Sequence, residues 1–157
     1  MTIKIVMGIP CAGKSTFIKK YFPNSRKIDL YDFQKQYKKI NYFDIMQSYE
    51  DVKNELLESI RNNEDVILEH TLLKAIRREM YIEAIKEITD EPIDVYLIHP
   101  TIQRFKENHA IRLGEEFHDD ELKEYFDTLE IPTTKEGFAH VYLVEDINKW
   151  GDVCETK

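Results

Sequence analysis

Eight residues near the amino terminus, Gly8-Ile9-Pro10-Cys11-Ala12-Gly13-Lys14-Ser15, have types and spacing that bind phosphate. They match the pattern G-x-x-x-x-G-K-[ST] at every fixed position, and Thr16 follows directly. In such a loop the backbone N–H groups wrap a polyphosphate, and glycine lets the chain approach without a Cβ in the way. The spacing predicts that Lys14 reaches the β- and γ-phosphates and that the Ser15 hydroxyl ligates Mg²⁺. The helix that follows adds the positive end of its dipole to the same anion. Cys11 occupies an unconstrained position of the loop, where a thiol at a helix N-terminus is a candidate for oxidation that blocks nucleotide.

The flanks give the pattern its context. Thr2 to Met7 is a short β-prone run, and Ser15 to Phe22 has Phe17, Ile18, Tyr21 and Phe22 at helical spacing before Pro23. A strand, a glycine-rich loop and a helix are therefore expected in that order. The same reading predicts strands at Lys27–Leu30, Asp65–Glu69, Ile93–Ile98 and Ala139–Val144. Helices are expected at Asp44–Asn62, Lys74–Ile88, Thr101–Leu113 and Asp119–Leu129. The inward faces are Ile45, Tyr49, Val52, Leu56 and Ile60 in the first, and Ile76, Met80, Ala84 and Ile88 in the second. In the third they are Ile102, Phe105, His109 and Leu113, and in the fourth Leu122, Tyr125, Phe126 and Leu129.

Strands alternating with helices predict an α/β fold, a five-stranded parallel sheet with helices on both faces. Ligands of such sheets sit outside the carboxyl ends of the strands. That rule singles out the phosphate loop, Asp29 and Asp32, Glu69 and His70, and His99. The 157 residues are expected to form one domain, 1–157, with residues 104–129 as a helical lid.

Bulk properties narrow the class. Hydrophobic residues at 42% and charged residues at 33% describe an ordinary globular chain. There is no bilayer-length apolar run and no signal-peptide pattern, and two cysteines form no framework, so a reducing, cytoplasmic setting without membrane is expected. The net charge of −8 argues against coating duplex nucleic acid, though not against a local cleft that grips one strand end. The scattered histidines include no zinc-site spacing. A GTPase would carry D-x-x-G, which is absent, and in Asn148-Lys149-Trp150-Gly151-Asp152 the aspartate falls one position late for N-K-x-D. A small phosphotransferase remains the simplest class. Such an enzyme needs a phosphate cradle, a metal, an orienting group at the acceptor hydroxyl and cations against developing charge. Arg112 is the best lid cation and Arg104 the second, while one of Arg77 and Arg78 is expected to turn towards the acceptor.

Several blocks resemble the polynucleotide-kinase-like P-loop kinases, which are related to zeta-toxin-type kinases. These are Gly8 to Phe17, Val66-Ile67-Leu68 with Thr71 and Arg77-Arg78, Asn108 through Arg112, and Glu130 to Val141. The resemblance implies an ATP- and Mg²⁺-dependent kinase with a hydroxyl acceptor, a polynucleotide 5′-hydroxyl among the candidates. A small-molecule or zeta-toxin-like kinase and a nucleotide-binding regulatory module with weak NTPase activity are the alternatives. In the family, an aspartate after the second strand is the base and an arginine three residues later grips the acceptor's phosphate. Tyr31 and Gln34 hold those positions here, with Asp32 one place along and Asp29 two places before, so Asp32 or Asp29 is the expected base. The family's metal-side aspartate aligns with His70, and Glu69, one residue earlier, is expected to take its place through a water. Neither the acceptor nor the oligomeric state is legible.

Overall fold

A computed structural model describes residues 1–37, 39, 41–113, 119–149 and 154–155; side chains at 111–113, 119, 121 and 154–155 are not among those described. One six-stranded sheet has the order β2-β3-β1-β4-β5-β6. β1 (Ile3–Met7) lies at its centre, parallel to β3 (Val66–His70) on one side and β4 (Ile93–Ile98) on the other. β2 (Arg26–Asp29) adds to β3 and β5 (His140–Val144) to β4, both in parallel. A difference from the expected all-parallel sheet is β6 (Cys154–Glu155), a two-residue antiparallel strand on β5. Two residues carry no readable period, so this edge leaves no signal in the sequence.

Central parallel strands are covered on both faces, which is why they read as unbroken apolar runs. Alternate side chains feed separate cores. Ile3, Ile5, Leu68 and Val95 pack with Val52 and Leu56 of α3 (Tyr42–Arg61) and with Tyr81 and Ile85 of α4 (Ala75–Lys86). Val6, Ile67 and Tyr96 pack with Phe17 of α1 (Lys14–Tyr21), Phe105 of α5 (Ile102–Leu113) and Leu122 of α6 (Asp119–Thr128). A short helix, α2 (Leu30–Gln34), follows β2 directly. No helix among the described residues is long and apolar enough to cross a membrane.

α3 starts two residues earlier than expected. The Asn41 side chain accepts from the Asp44 N–H while the Asp44 carboxylate accepts from the Asn41 N–H, a capping box that fixes the first turn. α4 departs further. Its buried residues are Arg78, Tyr81, Ile82 and Ile85, and Ile76 is 69% exposed. The reason is Arg78, a residue that a hydrophobic count assigns to solvent. Its guanidinium is fully buried, donates to both Glu136 oxygens at 2.7 and 3.1 Å, and donates to the Leu72 carbonyl at 2.8 Å. Saturated in this way, the cation turns the helix so that Ile82 and Ile85 face the core and Ile76 faces water. α5 shows a smaller rotation: Phe105 and His109 are buried and Ile102 is 53% exposed.

The Glu136 carboxylate also accepts from the Thr133 N–H at 2.7 Å, so one ion pair ties α4 to the segment leading into β5. Removing one partner of a buried pair costs more than the pair contributes, because the other charge stays behind. Glu136→Ala is therefore expected to lower unfolding stability by about 3 kcal/mol in urea titration. A loss below about 1 kcal/mol would show that Arg78 finds water instead.

Candidate active site

The site is built at the carboxyl edge of the sheet. The loop after β1 crosses that edge with Gly8 at φ 152° and Gly13 at φ 107°, the latter preceding α1. A Cβ on Gly8 would lie 2.6 Å from the Ile98 carbonyl oxygen, so no side chain fits there. Cys11 has φ 65°, a left-handed conformation uncommon for a residue with a side chain. Lys14 folds back over the loop, its Nζ donating to the Gly8 and Ile9 carbonyls at 2.9 and 3.1 Å.

Above the edge lies a cavity of about 750 Å³. Pro10 to Thr16 form its floor, Asp29, Leu30, Tyr31 and Gln34 one wall, and Glu69, His70 and Thr71 the back. Arg104 and Asn108 of α5 and Ile147 and Asn148 after β5 close the remaining side. The Asn108 amide donates to the Cys11 carbonyl at 3.1 Å, which ties α5 to the phosphate loop.

Carboxylates and one lysine organise the floor. Ser15 Oγ donates to Glu69 Oε1 at 2.5 Å. Glu69 is 5% exposed, and its Oε2 accepts no hydrogen bond, with Lys27 Nζ at 3.4 Å. Lys27 Nζ is also 3.9 Å from Asp29 Oδ2. Asp29 and Glu69 are register partners on adjacent parallel strands, so their side chains share a face. Burial, and then the neighbouring Glu69 charge, push the Asp29 carboxyl above the ordinary aspartate range. Asp29 also caps α2, accepting from the Tyr31 N–H at 2.9 Å.

His70 points to the other side of the sheet, between the Tyr49 and Tyr81 rings at 5.2 and 5.6 Å. Its Nδ1 accepts from the Leu72 N–H at 3.3 Å, and burial lowers its pKa to about 3. The ring is thus neutral, with its proton on Nε2, and its packing between two tyrosines keeps it from the face where Glu69 lies.

The sequence-derived candidates fall into distinct places. Lys14, Ser15, Glu69 and Asp29 converge on the cavity, together with Pro10, Cys11, Ala12, Gly13 and Thr16. Gly8 and Ile9 lie beneath it and supply the carbonyls that hold Lys14. Asp32 is 52% exposed at its side chain, pairs with Lys35 at 3.0 Å and does not line the cavity. Arg77 is exposed, with its guanidinium 5.8 Å from the Tyr49 ring, whereas Arg78 is in the buried pair described above. His99 donates its N–H to the Val144 carbonyl and meets Phe126 edge-on, away from the cavity. Arg112 belongs to α5 with its side chain outside the described residues, as is Gly114 of the expected lid. Arg104 lines the cavity. The sequence does not single out Ile147 and marks Asn148 only in an incomplete N-K-x-D match, although both follow β5 and obey the same strand-end rule that marked Asp29 and Glu69.

The donor set suits magnesium. Ser15 Oγ and the Glu69 carboxylate are hard oxygens side by side, one with an unbonded buried oxygen, and magnesium in kinase sites takes one or two protein oxygens and leaves the rest to phosphate and water.

No family model matches the chain, and no curated protein matches its sequence. Solved structures do match. A sugar kinase from Janibacter sp. is 14% identical with a TM-score of 0.65, over 95% of this chain and 87% of that one. A gluconokinase from Sinorhizobium meliloti is 16% identical with a TM-score of 0.65, over 94% and 85%. A chain of the Pnkp1/Rnl/Hen1 RNA repair complex is 17% identical with a TM-score of 0.68, over 87% of this chain and 46% of that one. At such identities the likeness establishes the fold: this chain has the architecture of the P-loop kinases.

Proposed function

We propose that the protein is an ATP- and Mg²⁺-dependent kinase that moves the γ-phosphoryl group to a hydroxyl, on a polynucleotide 5′-end or on a small polyol. The observation that carries this reading is the convergence of Ser15, Glu69, Lys14 and Asp29 on one cavity beside a phosphate loop. Both acceptor classes have precedent in the fold, since the matched structures are named as sugar kinases and as part of an RNA repair complex.

Each residue has a task the reaction needs. The loop N–H groups and Lys14 hold the phosphates, and Lys14 exchanges two carbonyls for phosphate oxygens. Ser15 and Glu69 would hold the magnesium, whose charge offsets that of the phosphates. Asp29 accepts the acceptor's proton as its oxygen bonds to the γ-phosphorus and the β-phosphate oxygen departs. Its raised pKa brings it nearer the value a base needs at working pH. Arg104 and Asn108, on the far wall, suit the departing phosphate and the nucleotide. Arg78 is committed to Glu136 and Arg77 lies over Tyr49 outside the cavity lining, so the cations that face an acceptor there are Lys14 and Arg104.

The direct test is transfer of labelled γ-phosphate to pools of oligonucleotides, nucleosides and sugar alcohols. Label is expected on one pool and lost with Lys14→Ala; phosphate release without labelled product from any pool would refute the kinase reading. Asp29→Asn is expected to slow transfer by about 10²–10⁴-fold with ATP affinity kept. Ionised Asp29 is the active form and its pKa is raised, so kcat/KM should climb with pH through a value above the ordinary aspartate range. A wild-type profile flat across that region would remove Asp29 from the base role. Glu69→Gln is expected to raise the Mg²⁺ concentration for half-maximal rate by about tenfold or more, and an unchanged requirement would exclude Glu69 from the metal.

A further inference from the structure

Lys27 has a place that neither the phosphate loop nor the base accounts for. Lys27 and Asp29 are two apart on β2 and so share a face of the sheet. Their register partners on β3 are Ile67 and Glu69. The lysine therefore starts about 7 Å behind Asp29 along the strand, and its flexible stem carries Nζ forward to the acids. There Nζ lies 3.4 Å from Glu69 Oε2 and 3.9 Å from Asp29 Oδ2. Lys27 does not line the cavity. β2 is an edge strand, so the ammonium reaches the carboxylates from the border of the sheet, whereas phosphate and metal would reach them from the cavity.

The contact with Glu69 is a charge pair without a hydrogen bond. Oε1 accepts the Ser15 hydroxyl at 2.5 Å, while the buried Oε2 faces the ammonium at 3.4 Å and accepts no hydrogen bond. The ammonium thus offsets the carboxylate charge and leaves Oε2 able to take another cation. A divalent cation drawn to Ser15 and Glu69 would stand within a few ångströms of Nζ, where like charges in a partly buried site repel strongly.

We infer that Lys27 competes with the divalent cation for the Glu69 carboxylate, so that the cation enters with the nucleotide and not ahead of it. The phosphates of the nucleotide bring the negative charge that offsets the repulsion. The displaced ammonium has a second carboxylate at hand, Asp29, on the same face. Lysine suits such an exchange. Its ammonium is a compact charge on a flexible stem, whereas the planar fork of an arginine binds a carboxylate bidentately and holds it. Lys27 is in this sense a positioning residue, acting through Glu69 on what Glu69 can hold.

The inference rests on the magnesium-dependent kinase reading, but it is tested apart from transfer. Electron paramagnetic resonance would follow free Mn²⁺, a paramagnetic substitute for Mg²⁺, titrated into the full-length protein without nucleotide. Lys27→Met is expected to bind Mn²⁺ about tenfold or more tightly than wild type. Lys27→Arg keeps the charge and is expected to bind it as weakly as wild type, and adding Glu69→Gln to Lys27→Met is expected to abolish the gain. ATP is expected to narrow the difference between wild type and Lys27→Met. Equal affinity of these two proteins for free Mn²⁺ overturns the competition, as does a gain that survives Glu69→Gln or a difference that ATP leaves untouched. A lysine with only a structural role would change thermal melting and leave the resonance signal alone. Should Lys27→Met fail to fold, wild type against Glu69→Gln decides. An ammonium that holds the carboxylate predicts similar weak binding of free Mn²⁺ by both, and a loss of about tenfold in Glu69→Gln overturns it. Phosphate transfer by a protein whose free-metal binding ignores position 27 would keep the kinase and remove the competition. Control of Mn²⁺ by Lys27 in a protein that takes up no ATP would keep the competition and remove the kinase.

Discussion

The structure depends on how closely one loop can cross the end of a parallel sheet. β1 is the central strand, so the loop that leaves it must pass over its neighbour β4 before turning into α1. At Gly8 the backbone comes so near the Ile98 carbonyl that any Cβ would overlap it. This approach holds the start of the loop against the end of β4. It also sets Ser15, in the first turn of α1, against Glu69 at the end of β3. If the loop stood higher, those two oxygens would separate and their hydrogen bond would be lost. The Thr71 carbonyl braces the loop from the other side by accepting the Gly8 N–H at 3.4 Å. The turn that carries Thr71 is itself held by the buried guanidinium of Arg78. A structural ion pair on one face of the sheet thus supports the anion cradle at its edge.

For an acidic chain to hold a polyanion, an electrostatic problem would have to be solved locally. The cavity contains two carboxylates, Asp29 and Glu69, which would repel phosphate and each other. Lys27, between them, lowers that repulsion without entering the phosphate loop. Lys14 donates to two backbone carbonyls of the loop. His70, closest in sequence to these groups, is kept neutral by burial and so adds no third charge.

Much of this was legible in the sequence, for reasons that differ by residue. The phosphate loop announces itself because its chemistry needs fixed residue types at fixed spacing. Glu69 was legible because ligands of a parallel sheet sit outside the carboxyl ends of its strands, and Glu69 stands at the end of β3. The choice between Asp29 and Asp32 was not legible. Both follow β2, and only the cap on α2 decides that one side chain turns inward while the other meets Lys35 in solvent. The inward face of α4 was misread because periodicity cannot tell a buried arginine from an exposed one. Its partner, Glu136, lies 58 positions away. Ile147 and Asn148 carry no motif of their own, and only their place after β5 marks them as cavity residues.

The cap at Asp29 joins stability to chemistry in one bond. Oδ1 accepts from the Tyr31 N–H, which satisfies an orphan donor of α2 and fixes the carboxyl plane. Oδ2, the oxygen nearer Lys27, is thereby held in a defined direction. A base that keeps its orientation before substrate arrives need not lose side-chain freedom during reaction. The same hydrogen bond favours the ionised carboxyl, but burial and the Glu69 charge outweigh it, and the balance lies above the ordinary aspartate range. Moving the carboxylate to position 32 would forfeit the cap and the fixed direction, because that side chain faces solvent and pairs with Lys35. On physical grounds the residue that begins the helix is therefore better suited to take a proton than the one inside it.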